Sequence, residues 1–247
     1  SQIMISNLMI QINGRNAPEL SEDLVRHMVL NSLRGHNRKF RDKYGEMVLA
    51  CDSGNVWRRE VFPNYKANRK TTREKSGHDW TAIFEILNNI RSELKEHMPY
   101  KVIEIDTAEA DDIIGSICLY LKSVDSQQII YILSGDQDFL QLGRKNIIFI
   151  NYKTKKNLSL TEDEACENLK KKIIFGDKSD CIEGIFQTGY KIKKKDLLDD
   201  EILNNYLNNN LKAKQKYELN KKIIDFNYIP KNLYNKIIKK YLDIFKT

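Results

Sequence analysis

Short apolar runs that stop abruptly at carboxylates constrain the fold of this chain more than any other feature. The clearest is Ile129–Leu133, which runs straight into Ser134-Gly135-Asp136-Gln137-Asp138. Its length and its β-branched and aromatic content fit a buried strand. Met47–Cys51 ends the same way at Asp52, and the strand-like Val102–Ile105 is followed by Glu109-Ala110-Asp111-Asp112. Segments with helical spacing lie between these runs. Leu24, Val25, Met28, Val29 and Leu33 share one face behind a capping Ser21; Trp80, Ile83, Phe84, Leu87, Ile90 and Leu94 share another. Ala108–Leu121 reads as a third helix, Ile147–Ile150 as a further strand, and Thr161 opens a helix with three acids in its first turn. Strands alternating with helices predict an α/β fold, a mostly parallel central sheet flanked by helices.

Open sheets of this kind bind ligands at the rim outside the carboxyl ends of their strands. Four places put acids where a strand ends or a helix begins: Asp52; Glu109, Asp111 and Asp112, opening a helix; Asp136 and Asp138; and Asp177 and Asp180, which follow Ile173-Ile174-Phe175. Helical spacing puts Glu109 and Asp112 on one face and points Asp111 elsewhere. Any one of these acids alone is an ordinary cap or turn residue, but that explanation does not cover four groups at one rim. Carboxylates that close repel unless a cation joins them. Hard oxygen ligands select Mg²⁺, with Mn²⁺ as the alternative. Two such ions about 3.5–4 Å apart can activate a water and stabilise the leaving oxygen of a phosphodiester. The four histidines fall on predicted helices or their edges, so a histidine general base is not expected.

The predicted domains are an α/β core over residues 1–160 and a smaller helical region over 161–247. The net charge of +7 is unevenly spread: residues 1–150 balance at 20 basic and 20 acidic side chains, whereas 151–247 hold 21 and 14. A basic tail behind an acid-centred core suits a polyanion, and equally a Lys-rich coding bias. Cys51, Cys118, Cys166 and Cys181 form no C-x-x-C pair, as expected of free thiols in a reducing compartment. No apolar run approaches the roughly 20 residues that span a bilayer, and no signal peptide is visible. A soluble, cytoplasmic protein is expected.

Residues 58–75 carry seven basic and two acidic side chains directly after an acidic strand end. Lys66, Arg69, Lys70 and Arg73 recur every three or four residues, forming a basic helical face. That placement favours phosphate contact over a solvated surface helix. Arg58 and Arg59 extend the basic set. Tyr65 and Trp57 are candidates for stacking on a base, or for the core.

These stretches together resemble the flap endonuclease (structure-specific 5′ nuclease) family. Asp52 ahead of Trp57-Arg58-Arg59-Glu60, Tyr65-Lys66-x-x-Arg69, Glu109-Ala-Asp-Asp112, Ser134-Gly-Asp-x-Asp138 and Gly176-Asp-Lys-Ser-Asp180 occur in the family's order. Arg58-Arg59 after a Trp and the tail Ile224–Pro230 look like its bacteriophage RNase H branch. The resemblance implies a PIN-like core and a two-metal 5′→3′ exonuclease and flap endonuclease. Such an enzyme acts on DNA and RNA·DNA duplexes with 5′ flaps or nicks and removes RNA primers during replication. The resemblance also implies that Asp52, Glu109, Asp112, Asp136 and Asp138 hold the tighter Mg²⁺ with Asp111 near, and that Asp177 and Asp180 serve the second. Lys66 and Arg69 would act in a helical arch over the active site, at about residues 57–78. Residues 176–195 would form a helix–hairpin–helix element gripping the duplex. A monomer working with a single-strand-binding protein and a sliding clamp is the implied setting.

Two departures stand out. The family carries a further metal-binding Asp at the end of its first strand, just before the stretch matching Ser1-Gln2-Ile3, whereas the first Asp here is Asp23. A chain lacking that strand and ligand is expected to bind metal weakly and cleave little, and so to act as a branched-DNA-binding protein. The hairpin glycines are also degenerate, and Lys191, Lys193, Lys194 and Lys195 are the candidates to replace them in gripping the duplex. A PIN-like ribonuclease remains the rival enzyme, although it requires neither the basic arch nor the Gly176–Asp180 element.

Overall fold

Two parallel strand pairs build the sheet layer of the computed structural model, which describes residues 21–186 and 193–246. β1 (Val48–Cys51) pairs with β2 (Lys101–Glu104), Cys51 opposite Glu104. β3 (Ile130–Ser134) pairs with β4 (Ile147–Asn151), Ser134 opposite Asn151. Among the described residues no ladder joins the two pairs. Both pairs nevertheless feed one core, in which Ile103, Ile132, Ile147 and Phe149 are buried together. The expectations about a first strand and about the hairpin glycines fall at residues 1–20 and 187–192, which lie outside the described residues.

The helices follow from their caps and apolar faces. α1 (Glu22–Tyr44) starts where Ser21 Oγ accepts from Leu24 N at 3.3 Å. Its Val25, Val29 and Leu33 bury against Ile83, Leu87, Ile90 and Leu94 of the later crossover helix. Each such side chain, fully buried, stabilises by about 1.5–3 kcal/mol. After β1 come α2 (Trp57–Val61) and α3 (Asn68–Glu74). The crossover helix α4 (Trp80–Glu96) is capped by Asp79, whose Oδ1 accepts from Thr81 N and Ala82 N at 3.0 Å. α5 (Ala110–Val124) links β2 to β3, and α6 (Glu162–Phe175) opens on a Thr161–Glu164 capping box.

The expected strand at Ile173–Phe175 is instead the last turn of α6. Gly176 then reverses the chain with φ +77°. A Cβ at this position would lie 2.3 Å from Ile182 O. The turn creates a small antiparallel hairpin, β5 (Gly176–Asp177) with β6 (Ile182–Glu183), around a 3-10 turn at Lys178–Asp180. α7 (Asp200–Asn208) and α8 (Leu211–Ile224) gather around Leu197, Leu203 and Tyr206 in a separate apolar cluster. α9 (Lys231–Asp243) returns to α5, and its Leu233, Ile237 and Ile238 join the core of the strands. Among the described residues no helix is long and apolar enough to cross a membrane.

Candidate metal and nucleic-acid site

Because the four strands are short, their carboxyl ends bring the acids close together. Asp52 leaves β1 and caps α5, accepting from Ala110 N at 2.9 Å. Asp136 leaves β3 and caps the 3-10 turn Gln137–Leu142, accepting from Asp138 N at 3.0 Å. Asp111 stands among these acids. Burial raises its carboxyl to about 8, Asp136 adds to the rise, Lys66 opposes it, and Glu109 and Asp52 raise it further. As the helical spacing implies, Glu109 and Asp112 share a face, and Asp111 points elsewhere; the shared face turns to Arg58 rather than to the other acids. Glu109 is the N-cap, and Asp112, three residues on, curls back to accept from Glu109 N at 2.9 Å. Asp112 also accepts from Trp57 Nε1 at 3.1 Å and is fully buried. Asp111 is left facing the other acids.

Beneath this rim lies a buried ionic network. Arg58, 3% exposed, reaches Asp112 Oδ1 at 2.8 Å and Glu109 Oε2 at 3.0 Å, and donates through Nε to Ile223 O at 2.8 Å. Tyr65 is equally buried and donates its hydroxyl to Glu109 Oε2 at 3.0 Å; Lys66 Nζ lies 2.6 Å from Glu109 Oε1. Burial works against the Glu109 charge, but Lys66 and Arg58 outweigh it and hold the carboxyl below the usual range. Burial likewise opposes the Arg58 charge, and Asp112 foremost more than restores it. Arg58, Tyr65 and Trp57 are buried with their polar ends on Glu109 and Asp112; for Tyr65 and Trp57 this is the core placement that stood as the alternative to stacking, and for Arg58 it differs from the expected surface contact with nucleic acid. An arginine deep in a protein needs partners with good geometry, and here they come from residues 51 to 165 positions away.

The basic stretch splits between two roles. Lys66 adopts a left-handed backbone, φ +56°, and its N donates to Asp180 O at 3.1 Å. Its Nζ lies 3.6 Å from Asp180 Oδ2, while Arg69 Nη2 donates to Asp180 Oδ1 at 3.1 Å. The base of the stretch is thereby tied to the 178–180 turn, and Asn68 adds a bond to Ser179 O at 3.3 Å. Arg59 and Lys70 are exposed, and Arg73 lies over the Phe84 ring at 4.8 Å. Of the later lysines, Lys193 and Lys195 are exposed, Lys194 begins the 3-10 turn Lys194–Leu198, and Lys191 lies outside the described residues.

Two site residues, Lys172 and Asn220, carried no signal in the sequence, and a third, Gln141, lies in the family-like stretch Ser134–Leu142 without an expected role. Lys172 of α6 contacts Asp138 Oδ1 and lies 2.8 Å from Asp177 Oδ2. Gln141 donates to Asp138 O at 3.0 Å and Ile224 O at 3.1 Å, and accepts from Phe226 N at 2.9 Å, stapling the tail to the Asp136–Asp138 turn. Asn220 spans Ile173 O and Glu183 O. Asp111, Asp138, Lys172, Asp177 and Asp180 line one cleft together with Arg58. Among the described residues no three His, Cys, Asp or Glu side chains close on a common point as metal ligands would. Arg58 bridges Glu109 and Asp112, Lys66 bridges Glu109 and Asp180, and Lys172 bridges Asp138 and Asp177, while Asp52 and Asp136 accept from backbone N–H groups. The acids' all-oxygen chemistry, and the crowding that lifts Asp111, fit a hard divalent cation.

The 5′–3′ exonuclease N-terminal resolvase-like domain matches residues 23–170. Ribonuclease H of Enterobacteria phage T4 is 31% identical over 98% of this chain and 84% of its own length. A 5′–3′ exonuclease of Mycoplasmopsis pulmonis is 32% identical over 63% of this chain, which spans 49% of that protein. Among solved structures, a bacteriophage T5 flap endonuclease complex with DNA and metal ions superposes with a TM-score of 0.70 at 16% identity, covering 98% of this chain and 97% of the other. A zinc-bound T5 5′-exonuclease gives 0.68, also at 16% identity, covering 97% of this chain and 96% of the other.

Proposed function

The chain belongs to the 5′–3′ exonuclease family, and from that premise we propose that it hydrolyses phosphodiesters at 5′ ends and flaps of DNA and RNA·DNA duplexes with Mg²⁺ as cofactor. The observation that carries this reading is the shared cleft. Asp111 of α5, Asp138 of the turn after β3, and Asp177 and Asp180 of the α6–β6 turn line it, with the charges of Asp52 and Asp136 acting on Asp111, beside a basic stretch anchored to Asp180. Asp52, Asp111, Asp136 and Asp138 would hold one ion; Asp177 and Asp180 would contribute to a second. Glu109 and Asp112 are engaged by Arg58, Lys66, Tyr65 and Trp57, which suits a role in fixing the N-terminus of α5 and hence Asp111. Bound divalent ions would supply an activated water and charge stabilisation for the leaving oxygen.

The chain's own groups handle the substrate's charge. Arg59, Lys70 and Arg69 are exposed and would offer cations to backbone phosphates, an interaction that weakens with salt. Lys66 and Arg69, tied to Asp180, would act on the scissile phosphate from beside that acid. Lys193 and Lys195 extend the positive surface along the C-terminal side. Removal of RNA primers in replication is the biological task that the likeness to ribonuclease H suggests. The test is cleavage of 5′-labelled flap DNA and RNA·DNA with and without Mg²⁺. Metal-dependent products support the proposal; intact substrate with retained duplex binding would leave a binding protein instead.

A further inference from the structure

Asp138 and Asp177 belong to segments far apart in sequence, yet one ammonium contacts both. Lys172 Nζ contacts Asp138 Oδ1 and lies 2.8 Å from Asp177 Oδ2. The other oxygen of Asp177 is committed, accepting from Ser179 N at 2.8 Å and Ser179 Oγ at 2.6 Å. Oδ2 is therefore the oxygen left for a cation, and Lys172 holds it. Burial pushes the Asp177 carboxyl up, but the hydrogen bonds from Lys172 and Ser179 bring it below its ordinary range. The neighbouring lysines do not share this position: Lys170 turns to Leu198 O and Asp200, and Lys171 pairs with Glu167. The three side chains are 16–21% exposed, shielded enough to interact strongly and open enough to exchange partners.

We infer that Lys172 is a built-in counter-ion, standing between Asp138 and Asp177 where a divalent cation would bind, and that metal must displace it to use both carboxylates. This rests on the metal-dependent reading proposed above. Without Lys172 the two carboxylates would face each other across the cleft with no cation between them, which favours the folded protein less. With it, one ammonium offsets part of the charge of the two carboxylates, and metal affinity is lowered by whatever holds the ammonium in place. The coupling is reciprocal: whatever binds the ammonium elsewhere in the cleft raises metal affinity by the same factor.

The experiment is a Mg²⁺ titration by calorimetry and thermal shift, without nucleic acid, on wild type, Lys172→Met and Lys172→Arg. Lys172→Met should bind Mg²⁺ about tenfold or more tighter. It should also melt lower than wild type in chelator and regain stability as Mg²⁺ is added. Lys172→Arg keeps the charge and should stay near wild type. If wild type binds Mg²⁺ and Lys172→Met binds it equally or more weakly, the counter-ion role is overturned while the metal reading stands. If neither binds Mg²⁺, the metal reading falls and the counter-ion role with it. Should Lys172→Met not fold, NMR of wild type with ¹³C-methylated lysines decides the question. The Lys172 resonance, identified by its loss in Lys172→Arg, must shift at saturating Mg²⁺; a stationary resonance refutes displacement.

Discussion

Replacing Arg58 by Met tests the buried network beneath the cleft. Met keeps the stem and the packing on Trp57 but removes the charge. Asp112 loses a partner at 2.8 Å, Glu109 one at 3.0 Å, and Ile223 O its donor at 2.8 Å. Lys66 and Tyr65 still serve Glu109, and Trp57 Nε1 still serves Asp112. The loss is therefore that of one partner from a buried pair, about 3–5 kcal/mol. For a chain of this size, Tm should fall by about 6–20 °C. Adding Asp112→Asn removes the stranded charge, so the double variant should recover part of the deficit. Thermal and urea unfolding of the wild type, both single variants and the double variant at pH 7 measure this directly. A deficit for Arg58→Met below about 1 kcal/mol, the range of an exposed ion pair, would refute the buried-network account.

Other outcomes follow from the same contacts. Glu109 and Asp177 have carboxyls held below their ordinary values, so their stabilisation is present above the unfolded pKa and lost as pH falls through the folded one. Stability should therefore decline below about pH 4.5, and Lys66→Met should start that decline at higher pH in acid-unfolding curves. Asp111 has the opposite sign: its folded value of about 8 exceeds the unfolded 3.8, so its contribution disappears as pH rises toward and through 8. Asp111→Asn should thus raise the Tm of metal-free protein more at pH 9 than at pH 5, and an equal change at both would contradict the crowding. Gly176→Ala, forced to φ +77° against Ile182 O, should cost at least about 1 kcal/mol by urea unfolding.

The periodic parts of the fold were legible because local signals and tertiary packing agree. Ser21 and Thr161 cap the helices their positions announced, and the strands at 48–51, 130–134 and 147–151 match their apolar runs. The Ile173–Phe175 run was ambiguous because three apolar residues fit the end of a buried helix as well as a strand. Which acid of the 109–112 group faces the cleft depended on where the helix cap fell, and a one-residue shift exchanges Asp111 with Asp112. Arg58 and Tyr65 looked like surface groups because their partners, Glu109, Asp112 and Ile223, become neighbours only on folding. Lys172 sits in a run of three lysines, and nothing local distinguishes the one that turns into the cleft.

The most direct test of the central claim is single-turnover cleavage of a 5′-labelled flap duplex by wild type and Asp136→Asn, each in Mg²⁺ and in chelator, with duplex binding measured alongside. Wild type should release 5′ products only with metal. Asp136→Asn should bind the duplex at least as well yet cleave more than about 100-fold more slowly, beyond the usual loss from removing an outer-shell partner. Equal cleavage by Asp136→Asn and wild type, or cleavage that persists in chelator, would contradict a metal-dependent nuclease centre at this cleft.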